Sequence, residues 1–453
     1  MPYSEQLRQL FEIIFQFYEK IGDNIFNIYL QYSRPFLDVL HITFDSIFYV
    51  LLYVTIALTS SYLLMSIYLL FFKNKYKEKI AKEKDLPFVT IQIPTYNELA
   101  ALNCAKRCLD FDYPKSKYEI LIGDDSSDKS ISKKINLFAK NYKRVKVTRR
   151  GGNAGFKPGN LNHMLKFTKG EYIVIFDSDF LPEKDFLKRI ISPFVFDKKL
   201  HATQARWVTK NFSQNLASIV GGTIPFFTHQ LGLPVLNRMD SISFIAGSAE
   251  AVKTSTLKSL GGWQSGSLTE DIEYSLRLTK EGKKIIYLEN LLCECEAPYT
   301  VKDLAKQQMR WAYGVITAGK EHLFGIISNR KIRASKKMNI FILLSGYIMT
   351  VLFFLLAVTG FLSIITHRPG LIDWNRFISE TTLNIILTSG FLLTTSITYV
   401  LGKKTKEIPR MLLASFSIGI IVINIITIGI FKALFNRPMQ WFMLNKRGNE
   451  VSV

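Results

Sequence analysis

Cysteine and histidine are scarce in this chain, with four and six residues among 453. The cysteines form two close pairs, one with the spacing of a helix face and one with that of a strand face. This spacing favours buried structural roles over a zinc site. The histidines are scattered without metal-ligand spacing, and no G-x-G-x-x-G sequence indicates a nicotinamide cofactor. The pairs are Cys104 with Cys108 and Cys293 with Cys295.

Acidic residues are also few, because 37 Asp+Glu stand against 58 Lys+Arg and leave a net charge of +21. A nucleic-acid partner would suit that surplus, but its distribution favours a membrane surface. The densest basic run directly follows the uncharged stretch 46–72, where lysines contact anionic headgroups and hold their loop in the cytoplasm. Membrane lipids, and no nucleic acid, are the expected partners. The run consists of Lys73, Lys75, Lys77, Lys79, Lys82 and Lys84.

Long uncharged runs, in contrast, are present, and an apolar content of 48% excludes a disordered chain. The stretch 46–72 is too long for a cleaved signal sequence and predicts a retained transmembrane helix. Residues 1–45 mix apolar and charged side chains, which predicts an amphipathic segment at the membrane interface. Three further transmembrane helices are predicted within 338–431, at 338–366, 381–401 and 411–431, followed by a tail at 432–453. The expected protein is a multi-pass protein of the cell membrane.

The charges around the last predicted helix conflict with this topology. With a cytoplasmic domain before 338, residues 367–380 would face outside, and the end of the chain would face outside too. That places the four basic residues after 431 outside, against the positive-inside rule. Either the C-terminus is external, or another segment crosses or re-enters the membrane. The residues are Lys432, Arg437, Lys446 and Arg447.

Between the predicted membrane segments, residues 85–320 have the pattern of an α/β domain, followed by interface helices to about 335. Short apolar runs such as Tyr118–Ile122 and Tyr172–Phe176 each end at a polar cluster. Runs that are apolar on both alternations predict buried parallel strands, and the carboxyl ends of such strands build a common site.

Two acidic clusters follow predicted strands. Asp177 and Asp179 form a D-x-D pair, which can hold Mg²⁺ or Mn²⁺ against a diphosphate, although alone it is more often a solvated turn. Asp124 and Asp125 could bind a nucleoside or form an ordinary loop, with Asp128 capping the next helix.

Three further motifs carry candidate residues. The glycine-rich segment 151–162 contains Lys157, which could meet a diphosphate or lie in a plain strand–helix connection. In the sequence Thr269-Glu-Asp, the two acids complement a helix dipole or supply a general base, and Thr269 could cap that helix. In Gln307-Gln-Met-Arg-Trp311, the arginine could neutralise a leaving phosphate while the indole stacks on a sugar, or both could be surface residues.

The ordered set of motifs over residues 88–320 resembles the membrane-embedded family 2 glycosyltransferases, which include cellulose, hyaluronan and chitin synthases. The resemblance rests on D-D, D-S-D, K-P-G-N-L-N, T-E-D, Q-x-x-R-W and the turn Phe244–Ser248. It implies a GT-A (Rossmann-like) α/β catalytic domain, cytoplasmic and inserted between transmembrane helices.

The resemblance also implies roles for named residues. The base would be Asp271, with Glu270 beside it, and a bound Mg²⁺ or Mn²⁺ would contact Asp177 and Asp179. The acceptor would contact Gly247, Ser248, Gln307 and Trp311. The donor-binding set comprises Thr95, Asn97, Glu98, Asp124, Asp125, Lys157, Asn160, Asp177, Asp179 and Arg310.

The implied reaction is an inverting transfer from a nucleotide-diphospho-sugar, with UDP-glucose or UDP-N-acetylglucosamine as the expected donor, although no residue separates these from GDP-mannose. The expected product is a β-linked polysaccharide that is translocated through the membrane. The alternative is a single transfer onto a membrane lipid, as in ceramide glucosyltransferase. A non-catalytic transporter or scaffold is a third and weaker hypothesis. Accessory subunits are left open.

Overall fold

The computed structural model describes residues 2–74, 76–239, 244–367 and 374–439. Lys75, residues 368–373 of the predicted outer loop and residues 440–453 of the predicted tail, with Lys446 and Arg447, lie outside the described residues. The chain divides into two compact units, one of residues 1–59 and 351–389 and the other of 60–350 and 390–453.

The chain begins with two long helices, α1 (Pro2–Ile28) and α2 (Arg34–Phe71), joined by a π-helical turn. α2 has 38 residues, so it starts before the predicted transmembrane segment at 46–72 and includes the last part of the predicted interfacial segment. Large apolar side chains such as Phe11 and Phe15 are exposed along α1.

The part of the chain after α2 forms an α/β domain around an eight-stranded mixed sheet with the strand order β3-β2-β1-β4-β7-β6-β8-β5. β7 and β5 run antiparallel to their neighbours, and the other neighbouring strands pair in parallel. The strands are β1 (Val89–Thr95), β2 (Tyr118–Asp124), β3 (Val145–Thr148), β4 (Tyr172–Ile175), β5 (Leu181–Pro182), β6 (Leu200–Thr209), β7 (Glu250–Lys253) and β8 (Lys284–Cys295).

Helices cover both faces of this sheet and extend beyond it. Every residue of β1 and β2 is buried, as expected for strands covered on both sides. Asp128 caps α4 as predicted, because its Oδ1 accepts from the Ser130 N–H at 2.8 Å. The helices are α3 (Ala100–Leu109), α4 (Lys129–Lys140), α5 (Phe156–Leu165), α6 (Phe186–Phe196), α7 (Leu216–Phe227), α8 (Leu233–Arg238), α9 (Thr254–Ser259), α10 (Glu270–Lys280) and α11 (Val301–Ser328).

Two apolar clusters hold the layers together. Residues of α3, α4 and α6 pack on one face of the sheet, with Phe111 and Phe176 in their midst. Residues of α5, α9 and α10 pack on the other face, around Trp263 and Tyr274. Cys104 and Cys108 on α3, like Cys293 and Cys295 on β8, are buried in the first cluster, as their spacing predicts.

An apolar segment that sequence inspection did not single out lies between β6 and β7. Leu216–Arg238 is long and apolar enough to cross a membrane. Its second half is nevertheless anchored to β8, because the Tyr287 hydroxyl donates to the His229 carbonyl at 2.6 Å and Arg238 pairs with Glu289 at 2.7 Å. α7–α8 is therefore an integral part of the α/β domain.

In the part of the chain that the structure describes, five helices follow the α/β domain. Within the described residues, Phe11–Phe71 and Leu344–Thr366 are also long and apolar enough to span a membrane, and the pairs α13/α14 and α15/α16 reach that length only as broken helices. The predicted segment 381–401 is interrupted at Ser389, and the predicted segment 411–431 is bent by 57° at Ser417. The helices are α12 (Ala334–Thr366), α13 (Trp374–Thr388), α14 (Gly390–Leu401), α15 (Ile408–Phe416) and α16 (Ile418–Leu434).

In the smaller unit, the start of α2 is joined to the end of α12 by polar contacts. Arg34 donates to the carbonyls of Thr366 and His367 at 3.1 and 3.2 Å, and His41 Nδ1 lies 3.0 Å from the Ser363 carbonyl. Because the last carbonyls of a helix lack partners within it, these contacts stabilise the end of α12.

Candidate functional site

The predicted site residues converge on the carboxyl edge of the sheet. The ends of β1, β2 and β4 lie side by side there, and β7, which runs the other way, begins at the same edge. α5 and α10 direct their first turns toward this edge, and α11 lies across it through contacts with α10. The edge thus gathers acidic and basic side chains from seven elements.

Lys157 is the centre of the site. Its Nζ lies 2.8 Å from Asp177 Oδ1 and 3.0 Å from Glu270 Oε1, and it donates to the Gly247 carbonyl at 2.5 Å. Burial alone would lower the pKa of Lys157, but the carboxylates of Asp177, Glu270 and Glu250 outweigh burial and raise that pKa. The ammonium is therefore charged at every physiological pH and joins four segments of the chain.

Asp271 lies next to this lysine, in the first turn of α10. Burial and the neighbouring Glu270 carboxylate raise the pKa of Asp271 to about 7, although Lys157 opposes them. Gly247 adopts a φ of +86°, and a Cβ there would lie 3.3 Å from Asp271 Oδ2. Glycine suits this turn for two reasons, the positive φ and the lack of a Cβ that would approach Asp271. The turn thereby brings the backbone against a carboxylate that titrates near neutral pH.

Glu250, the first residue of β7, is a buried carboxylate that sequence inspection missed. Its Oε2 accepts from the Gly247 N–H at 2.7 Å, so it shapes the turn that approaches Asp271. Burial raises the pKa of Glu250 well above its usual range, with Lys157 acting in the opposite direction. Because prediction from parallel strands considers only carboxyl ends, the start of an antiparallel strand was overlooked.

Ser248 links this turn to the D-x-D strand. Its hydroxyl accepts from the Asp177 N–H at 2.9 Å, and its carbonyl accepts from Trp207 Nε1 at 2.9 Å and Gln204 Nε2 at 3.0 Å. The serine is fully buried, and in the structure its role is to hold the backbone of this turn in place. Trp207 and Gln204 on β6 are further positioning residues that no motif had indicated.

The predicted nucleoside carboxylates, Asp124 and Asp125, each pair with an arginine that follows β3. Arg149 Nη2 lies 2.5 Å from Asp124 Oδ2, and Arg150 Nη2 lies 2.5 Å from Asp125 Oδ2. Asp124 also accepts from the Ser126 N–H and the Ser132 hydroxyl, at 3.0 and 2.7 Å. Sequence inspection missed both arginines, although their place directly after a strand is the signal that could have found them.

The turn after β1 lies next to the turn after β2. Thr95 donates from its hydroxyl to the Glu98 carbonyl at 3.0 Å, and Asn97, with a φ of +54°, accepts through Oδ1 from the Asp128 N–H at 3.0 Å. The Glu98 carboxylate accepts from the Ser178 hydroxyl, inside the D-x-D turn. These contacts align the turns after β1, β2 and β4 in one wall.

Asn160 of the glycine-rich segment lies behind this wall. It is 3% exposed, and its Nδ2 donates to the Gly123 carbonyl at 2.8 Å. A Cβ on Gly123 would fall 2.0 Å from Asn160 Oδ1, so the close fit requires glycine there. In the structure, Asn160 therefore supports the end of β2.

The residues of the D-x-D turn fit a divalent cation only in combination with a ligand. Within the described ranges, no group of three or more His, Cys, Asp or Glu side chains could hold a metal ion. Asp177 faces Lys157, and Asp179 Oδ2 accepts from the Glu296 N–H at 3.2 Å. Mg²⁺ and Mn²⁺ are held by one or two carboxylates together with substrate phosphates, so this sparse donor set is compatible with such an ion.

α11 packs against α10 and contributes Arg310 to the site. Burial lowers the pKa of Arg310, whereas the carboxylates of Glu270, Asp177, Asp271 and Glu98 act to raise it. The Arg310 guanidinium is therefore near enough to these four carboxylates to interact with them electrostatically. Gln307 is buried and Trp311 half-buried on the same helix. Thr269 occupies the N-cap position of α10 but its buried hydroxyl makes no capping bond, so that expectation was wrong.

Comparison with known proteins identifies a family for this chain. A family model described as "Glycosyltransferase like family 2" matches residues 87–314. "Probable glucomannan 4-beta-mannosyltransferase 9" of Oryza sativa subsp. japonica is 29% identical over 287 residues, which cover 60% of this chain and 54% of that protein. "Glucomannan 4-beta-mannosyltransferase 9" of Arabidopsis thaliana is 29% identical over 263 residues, covering 56% and 49%. The chain spans about half the length of these curated relatives.

Among solved structures, the "Mannosyltransferase PcManGT from Pyrobaculum calidifontis in complex with GDP-Man and Mn2+" resembles this chain with a TM-score of 0.54 at 16% identity. The likeness covers 82% of this chain and 99% of that one. At this identity it concerns the fold alone, and the predicted GT-A fold is confirmed.

Proposed function

Because the chain belongs to the glycosyltransferase-like family 2, we propose that it is an inverting mannosyltransferase that extends a β-linked polysaccharide from GDP-mannose. The relatives in Oryza and Arabidopsis are named as glucomannan 4-β-mannosyltransferases. These names favour a mannosyl donor over the UDP-glucose or UDP-N-acetylglucosamine that the sequence led us to expect, so GDP-mannose replaces those donors in this proposal.

The observation that carries the proposal is the Asp271 carboxylate, whose pKa is raised to about 7 beside the lysine-bound carboxylates. A base with a pKa near the working pH combines a large ionised fraction with enough basicity to accept a proton. Asp271 takes the proton of the acceptor hydroxyl as that oxygen attacks the anomeric carbon. The bond from this carbon to the diphosphate breaks, its electron pair stays with the phosphate oxygen, and the α-linked sugar becomes β-linked.

In this proposal, two cations of the site bind the leaving diphosphate. Lys157 joins Asp177 to the base region, and Arg310 faces the same carboxylates from α11. Charge that develops on the leaving group is stabilised most by donors that are already in position. A divalent ion bound by Asp177 and Asp179 would neutralise part of the diphosphate charge. Gln307 and Trp311 would contact the acceptor sugar beside Gly247 and Ser248.

The nucleoside would lie along the wall formed by the turns after β1 and β2. Asp124 is already bonded to Arg149, Ser126 and Ser132, so its role is to hold that wall. Asp125 and Arg150 lie nearer the Lys157 segment, because Arg150 also donates to the Phe156 carbonyl at 3.0 Å. Arg150 thereby connects the predicted nucleoside and diphosphate regions.

We place the enzyme in the cell membrane with the α/β domain in the cytoplasm, since the lysines after α2 favour that side. α2, α12 and the broken pair α13/α14 would cross the bilayer, and a translocated polymer would pass among these helices. Transfer of a single mannose onto a membrane lipid is the alternative outcome of the experiment below.

The proposal is tested with purified protein in nanodiscs. Labelled GDP-mannose, UDP-glucose and UDP-N-acetylglucosamine are supplied separately with Mg²⁺ or Mn²⁺, and a parallel reaction contains EDTA. We expect a lipid-insoluble, β-mannanase-sensitive product from GDP-mannose alone, lost with EDTA and in Asp271→Asn. Label recovered only in the organic phase would replace the polysaccharide with a lipid acceptor, and incorporation from a UDP-sugar would overturn the donor assignment.

A further inference from the structure

The bent pair α15/α16 is the segment whose charges conflict with a membrane crossing. Its first part contains nine residues and its second part 17, and the two are bent by 57°. As an α-helix, α16 is about 25 Å long, slightly less than a typical hydrocarbon core of about 30 Å. Length and composition therefore permit a crossing but do not require one.

The beginning of this pair is bonded to the α/β domain. Glu407 Oε1 accepts from the Ser213 hydroxyl at 2.6 Å, and Arg410 Nη2 donates to the Ser213 carbonyl at 3.2 Å. Ser213 lies in the turn between β6 and α7, and Met411 and Ala414 pack in one cluster with Phe212 and Ile219 of that same region. α15 thus starts against the catalytic domain.

The end of the pair is bonded to the same domain. Lys320 of α11 donates from Nζ to the carbonyls of Ala433 and Leu434 at 2.9 and 3.1 Å and to Asn436 Oδ1 at 2.8 Å. A lysine at this position satisfies the last carbonyls of α16 and complements its dipole. The neighbouring Glu321 accepts from Gln264 at 3.0 Å, inside the domain.

α11 itself lies on the α/β domain over its whole length. Before its first turn, Asn215 donates to the Tyr299 carbonyl at 2.8 Å, and after its last turn Asn329 donates to the Lys280 carbonyl at 3.3 Å. Between them, His322 lies 3.0 Å from Glu273 of α10. A helix that runs beside α11 therefore follows the surface of the domain.

α16 runs beside α11 in the same direction. Gly429 faces Met309, and the residues after it reach Lys320 further along. The buried residues of α16 are Val422, Ile426, Thr427, Gly429, Ile430 and Ala433. The opposite face exposes Ile420, Ile421 and Ile428, and also Asn424, whose amide bonds the Ile420 carbonyl at 2.8 Å. An exposed amide halfway along the helix suits the membrane interface better than the bilayer centre.

We propose that α15/α16 lies on the catalytic-domain side of the membrane along its whole length and braces α11, with Gly429 as the positioning residue of that contact. Lys432 and Arg437 then lie on the same side as the lysine run, and their conflict with the positive-inside rule disappears. The bracing part rests on the proposed role of Arg310, which directly follows Met309 on α11.

The close approach at Gly429 makes the brace sensitive to a single methyl group. A Cβ at Gly429 would lie 2.8 Å from the Met309 carbonyl oxygen and 2.9 Å from its Cγ. Since backbone on α11 must move to admit it, Gly429→Ala displaces the helix turn that carries Arg310. Displacement of a positioned group by about 1 Å can cost roughly 100-fold in rate.

Topology is tested by cysteine labelling, which is independent of the sugar donor. The four native cysteines are buried, so the background is low. Arg437→Cys, Lys140→Cys on α4 and Trp374→Cys on α13 are each expressed and treated with a membrane-impermeant maleimide in sealed cells and in inverted vesicles. We expect position 437 to react in the same preparation as position 140 and position 374 in the other. Reaction of 437 together with 374 would overturn the proposal.

Bracing is tested by measuring the kinetics of Gly429→Ala. Gly419→Ala is the matched control, because a Cβ at Gly419 would meet its nearest atom at 3.5 Å, an ordinary contact distance. We expect kcat per folded molecule to fall about tenfold or more in Gly429→Ala with little change in the donor KM, and to stay unchanged in the control. Equal kcat in both variants would overturn the positioning role, and an inactive wild type would instead count against the proposed function.

Discussion

Two groups of carboxylates occupy the same edge of the sheet but are neutralised in different ways. In the first group, Asp124 and Asp125 are each paired with an arginine of their own. In the second group, four carboxylates interact with the ammonium of Lys157, and three of them also interact with the guanidinium of Arg310. The three are Asp177, Glu270 and Asp271, and the fourth is Glu250.

The pKa values of Asp124 and Asp271 reflect this difference, whereas at Asp125 burial outweighs the pairing with Arg150 and raises the pKa. Burial would raise the pKa of Asp124, but bonds from Ser126, Ser132 and Arg149 outweigh it and the pKa is lowered. Asp271 has no comparable compensation, and burial and Glu270 raise its pKa to about 7. A charge-balanced group forms a fixed wall, whereas a group with surplus negative charge is suited to bind a cation and to accept a proton.

The largest expected effect is the loss of transfer in Asp271→Asn. The amide cannot accept the acceptor proton, and general-base catalysis contributes on the order of 10²- to 10⁴-fold. We expect the rate of mannosyl transfer to fall by about 10³-fold with an unchanged melting temperature, because an uncharged amide is no more costly to bury than a carboxylate. The measurement is single-turnover transfer on purified protein. Retained transfer would remove Asp271 from the role of base.

The next effect is on stability and concerns the balanced group. Arg149→Met leaves the Asp124 carboxylate, whose side chain is 0% exposed, without its cation. Arg149 is itself 35% exposed, so water compensates part of its loss, but the buried carboxylate loses its charged donor and the melting temperature should drop.

The matched control for this pair is the double variant Arg149→Met with Asp124→Asn. Because the amide carries no charge to be compensated, we expect it to recover most of the lost stability, as measured by thermal unfolding in detergent. A double variant no more stable than Arg149→Met would show that the arginine acts through packing alone.

Most of the second group, together with Lys157, could be predicted from the sequence. The pairing of each carboxylate with its cation could not. Asp177, Asp271 and Lys157 follow a predicted strand or begin a predicted helix, so local pattern identifies them. Arg149 and Arg150 also follow a strand, but their pairing with the aspartates depends on β3 lying next to β2. Strand order is set by packing across the whole domain and has no local signature.

The apolar helices show the same limit of prediction from local sequence. Apolar content locates helical segments, and α7–α8, α12 and α16 all have it. Whether such a segment belongs to the α/β domain depends on single polar contacts, such as Tyr287 with His229 and Lys320 with the end of α16. These contacts join residues far apart in sequence, so hydropathy alone cannot reveal them.

A third prediction removes the shared cation of the surplus group. In Lys157→Met, Asp177 and Glu270 lose their ion pair, and the leaving diphosphate loses a preformed donor. Loss of one such donor costs about 10²- to 10³-fold, and we expect transfer to fall by about 10²-fold. Since Lys157 lowers the pKa of Asp271, the acidic limb of the rate profile should also move to higher pH. Lys157→Arg, which keeps the charge, serves as the control, and an unmoved limb would contradict the electrostatic coupling.

The smallest expected effect, and the sharpest test of the comparison, is a shift of the same limb in Glu270→Gln. In the wild type, kcat/KM should fall about tenfold per pH unit below the Asp271 pKa of about 7, because only the ionised carboxylate accepts a proton. Glu270 raises that pKa by its negative charge, so its removal lowers the pKa and extends activity to lower pH. At pH 8, where Asp271 is ionised in both proteins, this electrostatic effect leaves the rate unchanged.

Asp125→Asn is the control from the arginine-paired group, and we expect it to change the donor KM without moving the acidic limb of the rate profile. If Glu270→Gln left the limb in place while Asp125→Asn moved it, the surplus charge would lie in the other group, and the distinction between the two groups would fail.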